Sequence, residues 1–149
     1  MVYRLLFPTK PNQNNISFLL LTTRIVFGLL FLSHGVAKWN NFEELSVSFP
    51  DPLGVGSSVS LGLAIFGELV CSIGFIIGLL YRLAMIPMIF TMAMAFFVIH
   101  ANDAFAVKEP ALVYLFIFIL MYITGPGKFS IDYLIGNKNY EKKRNRQRK

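Results

Sequence analysis

The sequence predicts an all-α integral membrane protein, an antiparallel four-helix bundle with a short interfacial C-terminal helix. Three observations carry this reading. Of 149 residues, 55% are hydrophobic and only 15% charged, whereas an ordinary soluble domain carries about 25% charged residues. Mean hydropathy is +0.58. The charges are also concentrated in a few places, which leaves four apolar runs almost uninterrupted.

About 20 consecutive apolar residues cross the hydrocarbon of a bilayer. The first run, 16–37, and the second, 57–80, meet that length directly. The third, 83–100, follows the linker Tyr81-Arg82, which is so short that the second and third helices must be antiparallel neighbours. Pro87 removes one backbone donor early in that helix and is expected to bend it. The fourth run, 110–124, has 15 residues, about 22 Å at 1.5 Å per residue. It spans only if it is untilted or the bilayer thins, with residues 104–107 adding an interfacial turn. Next comes GPGKFSIDYLIG. Gly125 can end the fourth helix, Pro126 blocks its continuation and Gly127 admits an unusual backbone angle. Ser130 is placed to cap a short amphipathic helix over 131–135. The organisation expected is a leader 1–15, a transmembrane domain 16–136 and a basic tail 137–149, without internal repeats.

The single cysteine, Cys71, excludes an internal disulfide, a CxxC redox pair or a cysteine zinc cluster. The start MVYRLLFPTKPNQNN is too polar, and the first apolar run too long, for a cleavable signal peptide. Basic residues set the orientation. With both termini in the cytoplasm, Arg4, Lys10, Arg82 and eight basic residues after Thr124 lie inside. Lys38 and Lys108 then lie outside, beside Glu43, Glu44, Asp51, Asp103 and Glu109. The tail KNYEKKRNRQRK reads as a topology anchor in contact with anionic lipid head groups. A soluble partner is its second reading. Nucleic acid is not expected as a partner, because no aromatic or folded module accompanies the charge.

Arg24 and Glu68 are the most costly residues to place. Each sits in mid-run, and a charge at bilayer depth costs about 2.5–3.5 kcal/mol on insertion scales. Arg24 lies 13 residues from Ala37 and Glu68 lies 11 from Ser57, about 20 and 17 Å by helical rise. An ion pair between them is therefore expected. It would be either a structural lock between the first two helices or the polar lining of a site for protons, a quinone or a small polar ligand. Ala64, Gly67, Cys71, Gly74 and Gly78 form a small-residue stripe on the second helix, with Gly28 and Gly35 answering on the first. Cys71 reads most simply as part of that packing.

A second polar cluster gathers at the outer end. His34 and Lys38 are four apart and stack on adjoining turns. His100 closes the third helix, and Glu109 precedes Pro110, expected at the first helical position of the fourth. These groups are either wet helix caps or a head-group pocket for an oxygen-rich ligand. Two histidines make an incomplete metal set, so no metal is assigned. The stripe Met85, Met88 and Met92 reads as flexible packing. On the inner face, Asp132 is expected to meet Arg82 as an architectural clasp.

These residues also carry a resemblance. The series RIVFGLLFLSHGVAKW, FGELVCSIGFIIGLLYR, a helix ending in His100, KEPALVYL and GPGKFSIDYLIG resembles the DoxX family, over about 16–136. The resemblance implies a small four-helix protein of the bacterial inner membrane. Some members are similar to subunits of thiosulfate:quinone oxidoreductases, and others are associated with redox defence. It points to Arg24, His34, Lys38, Glu68, Arg82, His100, Glu109 and Asp132. An oxidoreductase role would need an external electron donor and a bound quinone, with an oxidoreductase partner subunit, because the chain holds no nucleotide loop, flavin motif or haem signature. Two classes of function stand open: a redox-system membrane subunit, or a non-catalytic scaffold, assembly factor or carrier of a small metabolite or lipid. A homo-oligomer is compatible with either.

Overall fold

The computed structural model describes residues 12–147; the leader residues Arg4 and Lys10 lie outside them. Helix α1, Gln13–Asn40, starts where the side chain of Asn12 accepts a hydrogen bond from the Asn14 amide at 2.9 Å, which satisfies one of the open donors of a helix start. Helix α2, Phe42–Ser48, is short. Helices α3, Ser57–Ile77, α4, Tyr81–Ile99, and α5, Phe105–Thr124, follow, and α1, α3, α4 and α5 are each long and apolar enough to cross a membrane. Helix α6, Ile131–Gln147, is the last element among the described residues. No strand occurs among the described residues.

Helix α3 packs between α1 and α4, and α4 packs in turn against α5. Phe31, Phe75, Tyr81, Met85, Met88 and Phe118 are buried at the centre. Phe75 stacks on Tyr81 at 5.6 Å, and Phe118 meets Phe31 and Phe75 edge-on. Large apolar side chains such as Phe18, Leu19, Phe97 and Ile123 point outward, as a bundle solvated by lipid requires. Lys128 Nζ reaches Asn14 Oδ1 at 3.3 Å, so the start of α1 and the segment leading into α6 share one end of the bundle. This is the α6 end; α2 marks the other.

Two boundaries and one additional helix differ from expectation. Helix α5 begins at Phe105, giving 20 residues, about 30 Å, so no thinning of the bilayer is needed. Pro110 therefore lies inside the helix rather than at its first position. Lys108 and Glu109 interrupt the apolar run there while the backbone stays helical. The C-terminal helix starts at Ile131 as expected, with the Ser130 hydroxyl accepting from the Tyr133 amide at 3.2 Å, and it continues into the basic tail. Helix α2 was not foreseen.

Two turns are wider than α-helical. Residues Phe66–Val70 of α3 and Ala95–Ile99 of α4 are π-helical, with Cys71 N donating to Phe66 O and His100 N to Ala95 O. Such turns are uncommon and cluster at functional sites.

A candidate ligand site at the α2 end

Helix α1 presents one face to α3. Arg24, Gly28, Phe31 and Gly35 on that face are buried, and Lys38 extends the same alternation of four and three by one more turn. At Gly35 the two helices nearly touch: a Cβ there would stand 2.7 Å from Leu69 N and 2.9 Å from the Glu68 carbonyl carbon. This close approach sets Glu68 level with Gly35, one turn from Lys38. Lys38 Nζ lies 2.5 Å from Glu68 Oε2. The carboxylate is almost fully buried, while the lysine side chain remains 25% exposed.

Arg24 and Glu68 accordingly do not pair. Gly35 is 11 residues along α1 from Arg24, about 16 Å by helical rise. The depth count had set Ser57 level with the end of the first helix. In the fold α3 projects beyond α1 at the α2 end, which lowers Glu68 toward Lys38. Arg24 turns toward the other end, where it is fully buried and Nη2 donates to the Phe129 carbonyl. Its Nε and Nη1 have no hydrogen-bond partner among the described residues. The expected Arg82–Asp132 contact is also replaced. Asp132 accepts from the amides of Leu80 at 3.0 Å and Tyr81 at 2.8 Å, capping the start of α4, because a carboxylate there satisfies open donors and favours the positive end of the helix dipole. Arg82 lies over the Tyr122 ring, 5.9 Å from its centroid.

The Lys38–Glu68 pair borders a cavity of about 680 Å³. His34 and His100 line it too, so the structure brings four of the sequence-selected residues around one space. Glu109 is exposed and is not part of the lining. Most of the wall is apolar, with Phe31, Leu63, Phe66, Ile86, Phe90 and Met92 among its members. The volume falls in the range of about 300–1,000 Å³ typical of small-molecule sites. Tyr114 was missed by the sequence reading although it stands in KEPALVYL. Its ring faces His34 edge-on at 6.1 Å and lines the cavity. Neither π turn had a compositional signal, yet one carries Glu68 and the other leads into His100. Ser72 fixes the first turn by donating to the Glu68 carbonyl at 2.6 Å.

Loop residues Phe49, Pro50, Pro52 and Leu53 cover the cavity at the α2 end. Asp51 ties this loop down. Its carboxylate accepts from the Ser60 hydroxyl at 2.7 Å, the Gly56 amide at 2.7 Å and the Val55 amide at 3.1 Å. The Ser60 hydroxyl, followed by the Gly56 amide, holds the Asp51 carboxyl below its usual range. His100 Nδ1 lies 2.7 Å from Asp103 Oδ2. No cluster of three or more His, Cys, Asp or Glu among the described residues is arranged to hold a metal ion.

Chemically, the site offers one ammonium, one carboxylate, two imidazoles and a phenol around an apolar space. Glu68 takes one of the three Lys38 donors, leaving donors for an oxygen-rich ligand. Four apolar spanning helices around such a space define a polytopic helical membrane protein. Within that class the chain belongs to the DoxX family, whose model matches residues 19–101. It is similar to two uncharacterized proteins of Haemophilus influenzae. One is 27% identical over 124 residues, covering 78% of this chain and 82% of the relative. The other is 32% identical over 126 residues, covering 80% and 89%. No solved structure matches the chain.

Proposed function

We propose that the protein is a membrane subunit of a redox system and holds a quinone head group in the cavity beside Lys38 and Glu68. The observation that carries this reading is an ion pair, buried on its acidic side, at the edge of a largely apolar cavity of about 680 Å³. Such a volume suits an amphipathic ring, and the ring's two carbonyl oxygens require donors. Lys38 supplies an ammonium donor, and His34 and His100 border the same space. Glu68 holds the ammonium in position and is placed to exchange protons with the ligand. When bound, a quinone accepts two electrons and two protons. The electrons would come from an oxidoreductase partner, and the chain's own residues would bind the ring and move the protons. In this reading both termini face the cytoplasm of a bacterial inner membrane, and the cavity lies toward the opposite leaflet. The basic-residue bias supports that orientation.

The test is lipid extraction and native mass spectrometry on gently purified protein, comparing wild type with Glu68→Gln and with Arg24→Gln. A quinone that co-purifies with wild type and Arg24→Gln but is lost from folded Glu68→Gln supports the reading. No quinone in wild type sinks it and leaves the scaffold or carrier alternative.

A further inference from the structure

The cavity has two boundaries of different character. Toward the α2 end it is covered by the Phe49–Leu53 loop, stiffened by Pro50 and Pro52 and anchored through Asp51 to Val55, Gly56 and Ser60. Sideways it is bordered by Leu63 and Phe66 of α3 and by Ile86 and Phe90 of α4. These four side chains are cavity wall and outer surface at once, with exposures of 50%, 47%, 53% and 49%. They lie on two of the spanning helices, so the surface that they share faces lipid. The helices touch beside this slot, where a Cβ on Gly67 would stand 2.7 Å from Thr91 Oγ1. The charged pair is carried on α1 and the π turn of α3, and the slot's rim is wholly apolar.

We propose that the site is filled from the bilayer through the slot between α3 and α4. Its ligand is a membrane-dissolved amphiphile with its polar head at Lys38–Glu68 and one apolar chain leaving past Leu63, Phe66, Ile86 and Phe90. This deepens the proposed function and rests on its ligand-binding part. A water-soluble ligand would instead have to pass the tethered loop. The same slot explains why the wall is apolar far beyond what a small ring needs.

The experiment uses full-length protein in lipid nanodiscs and a decyl benzoquinone carrying a photoreactive diazirine at the chain end. Irradiation is followed by peptide mass spectrometry, with a tailless dimethoxybenzoquinone as competitor. Adducts on α3 and α4 at the four rim residues, suppressed by the competitor, are the expected result. Leu63→Trp or Ile86→Trp narrows the slot and should weaken the tailed probe by about tenfold, the scale of a moderate overpacking clash, and by clearly more than it weakens the tailless head. Adducts on the Phe49–Leu53 loop, or equal weakening of both quinones, overturn the lateral route while leaving head-group binding intact. Failure of the tailless quinone to bind at all overturns the quinone reading itself, and the route falls with it.

Discussion

Gly35 of α1 lies against the backbone of Glu68 in α3, so closely that a methyl on Gly35 would stand 2.9 Å from the Glu68 carbonyl carbon. The nearest obstacles are main-chain atoms in a π turn, which cannot rotate aside. Gly35→Ala should therefore push α1 away from α3 and lengthen the Lys38–Glu68 contact. The expected outcome is a loss of about 1–3 kcal/mol in stability, together with weaker quinone binding. Gly62→Ala is the control, because no atom lies within 4 Å of its added Cβ; its stability should be unchanged or slightly raised. Denaturation in detergent micelles and quinone titration of both variants check this.

Asp132 fastens α6 to the start of α4 from 52 residues away in sequence. Its own amide also donates to the Gly78 carbonyl at 2.9 Å. Asp132→Ala should cost about 1 kcal/mol, the usual value of a lost N-cap, with Asp132→Asn recovering part of it. Hydrogen exchange should locate the loss at Leu80 and Tyr81. Arg82→Ala should leave those amides protected, since Arg82 takes no part in the cap.

Arg24 owes its position to Gly78. A Cβ at Gly78 would collide with Arg24 Nη1 and stand 2.6 Å from Ser130 Cβ, and the residue has φ +69°. Both the left-handed backbone and the missing side chain are used here. Gly78→Ala should destabilise by more than about 2 kcal/mol, combining backbone strain with displacement of the guanidinium. Thermal unfolding of the purified variant gives the value. Quinone binding by the folded fraction should be little changed, because Arg24 does not line the cavity.

The loop over the cavity should loosen in acid. The Asp51 pKa is depressed in the folded state, so its stabilisation is fully present above the unfolded value of about 3.9 and is lost as pH falls through the folded one. Protection of the Val55 and Gly56 amides should fall over that lower range in wild type. Asp51→Asn should show weaker protection at neutral pH and no such acid step. NMR hydrogen exchange, corrected for intrinsic rates, reads both.

Much of the fold was legible because a bilayer demands apolar length, and the four runs supplied it. Four polar residues that line the cavity were legible for the same reason: Glu68, Lys38, His34 and His100 stand out against apolar or interfacial surroundings. Their pairing was not. Counting depth from the ends of the runs treated α1 and α3 as flush, whereas their register is set at Gly35 by contact between backbones. The spacing Arg24, Gly28, Phe31, Gly35, Lys38 did place both cations on one face of α1, and that face could have named Lys38 as a rival partner. The π turns were illegible, since FGELV and AFFVI differ in no obvious way from α-helical sequence. Tyr114 was hidden among other aromatics of α5, and only the packing against His34 distinguishes it.

A double-mutant cycle on Lys38 and Glu68 is the most direct check of the site. Wild type, Lys38→Gln, Glu68→Gln and the double variant would be unfolded in micelles and titrated with decyl benzoquinone, with Arg24→Gln crossed into Glu68→Gln as a second cycle. Lys38→Gln strands the buried Glu68 carboxylate, which for a buried charge costs about 3–5 kcal/mol, whereas Glu68→Gln leaves only the 25% exposed Lys38 without its partner and should cost less. The double variant should regain much of that stability, while every variant at the pair loses quinone. Additive effects for Lys38 and Glu68, with coupling found instead between Arg24 and Glu68, would mean that the ion pair lies elsewhere and that the cavity has lost its anchor.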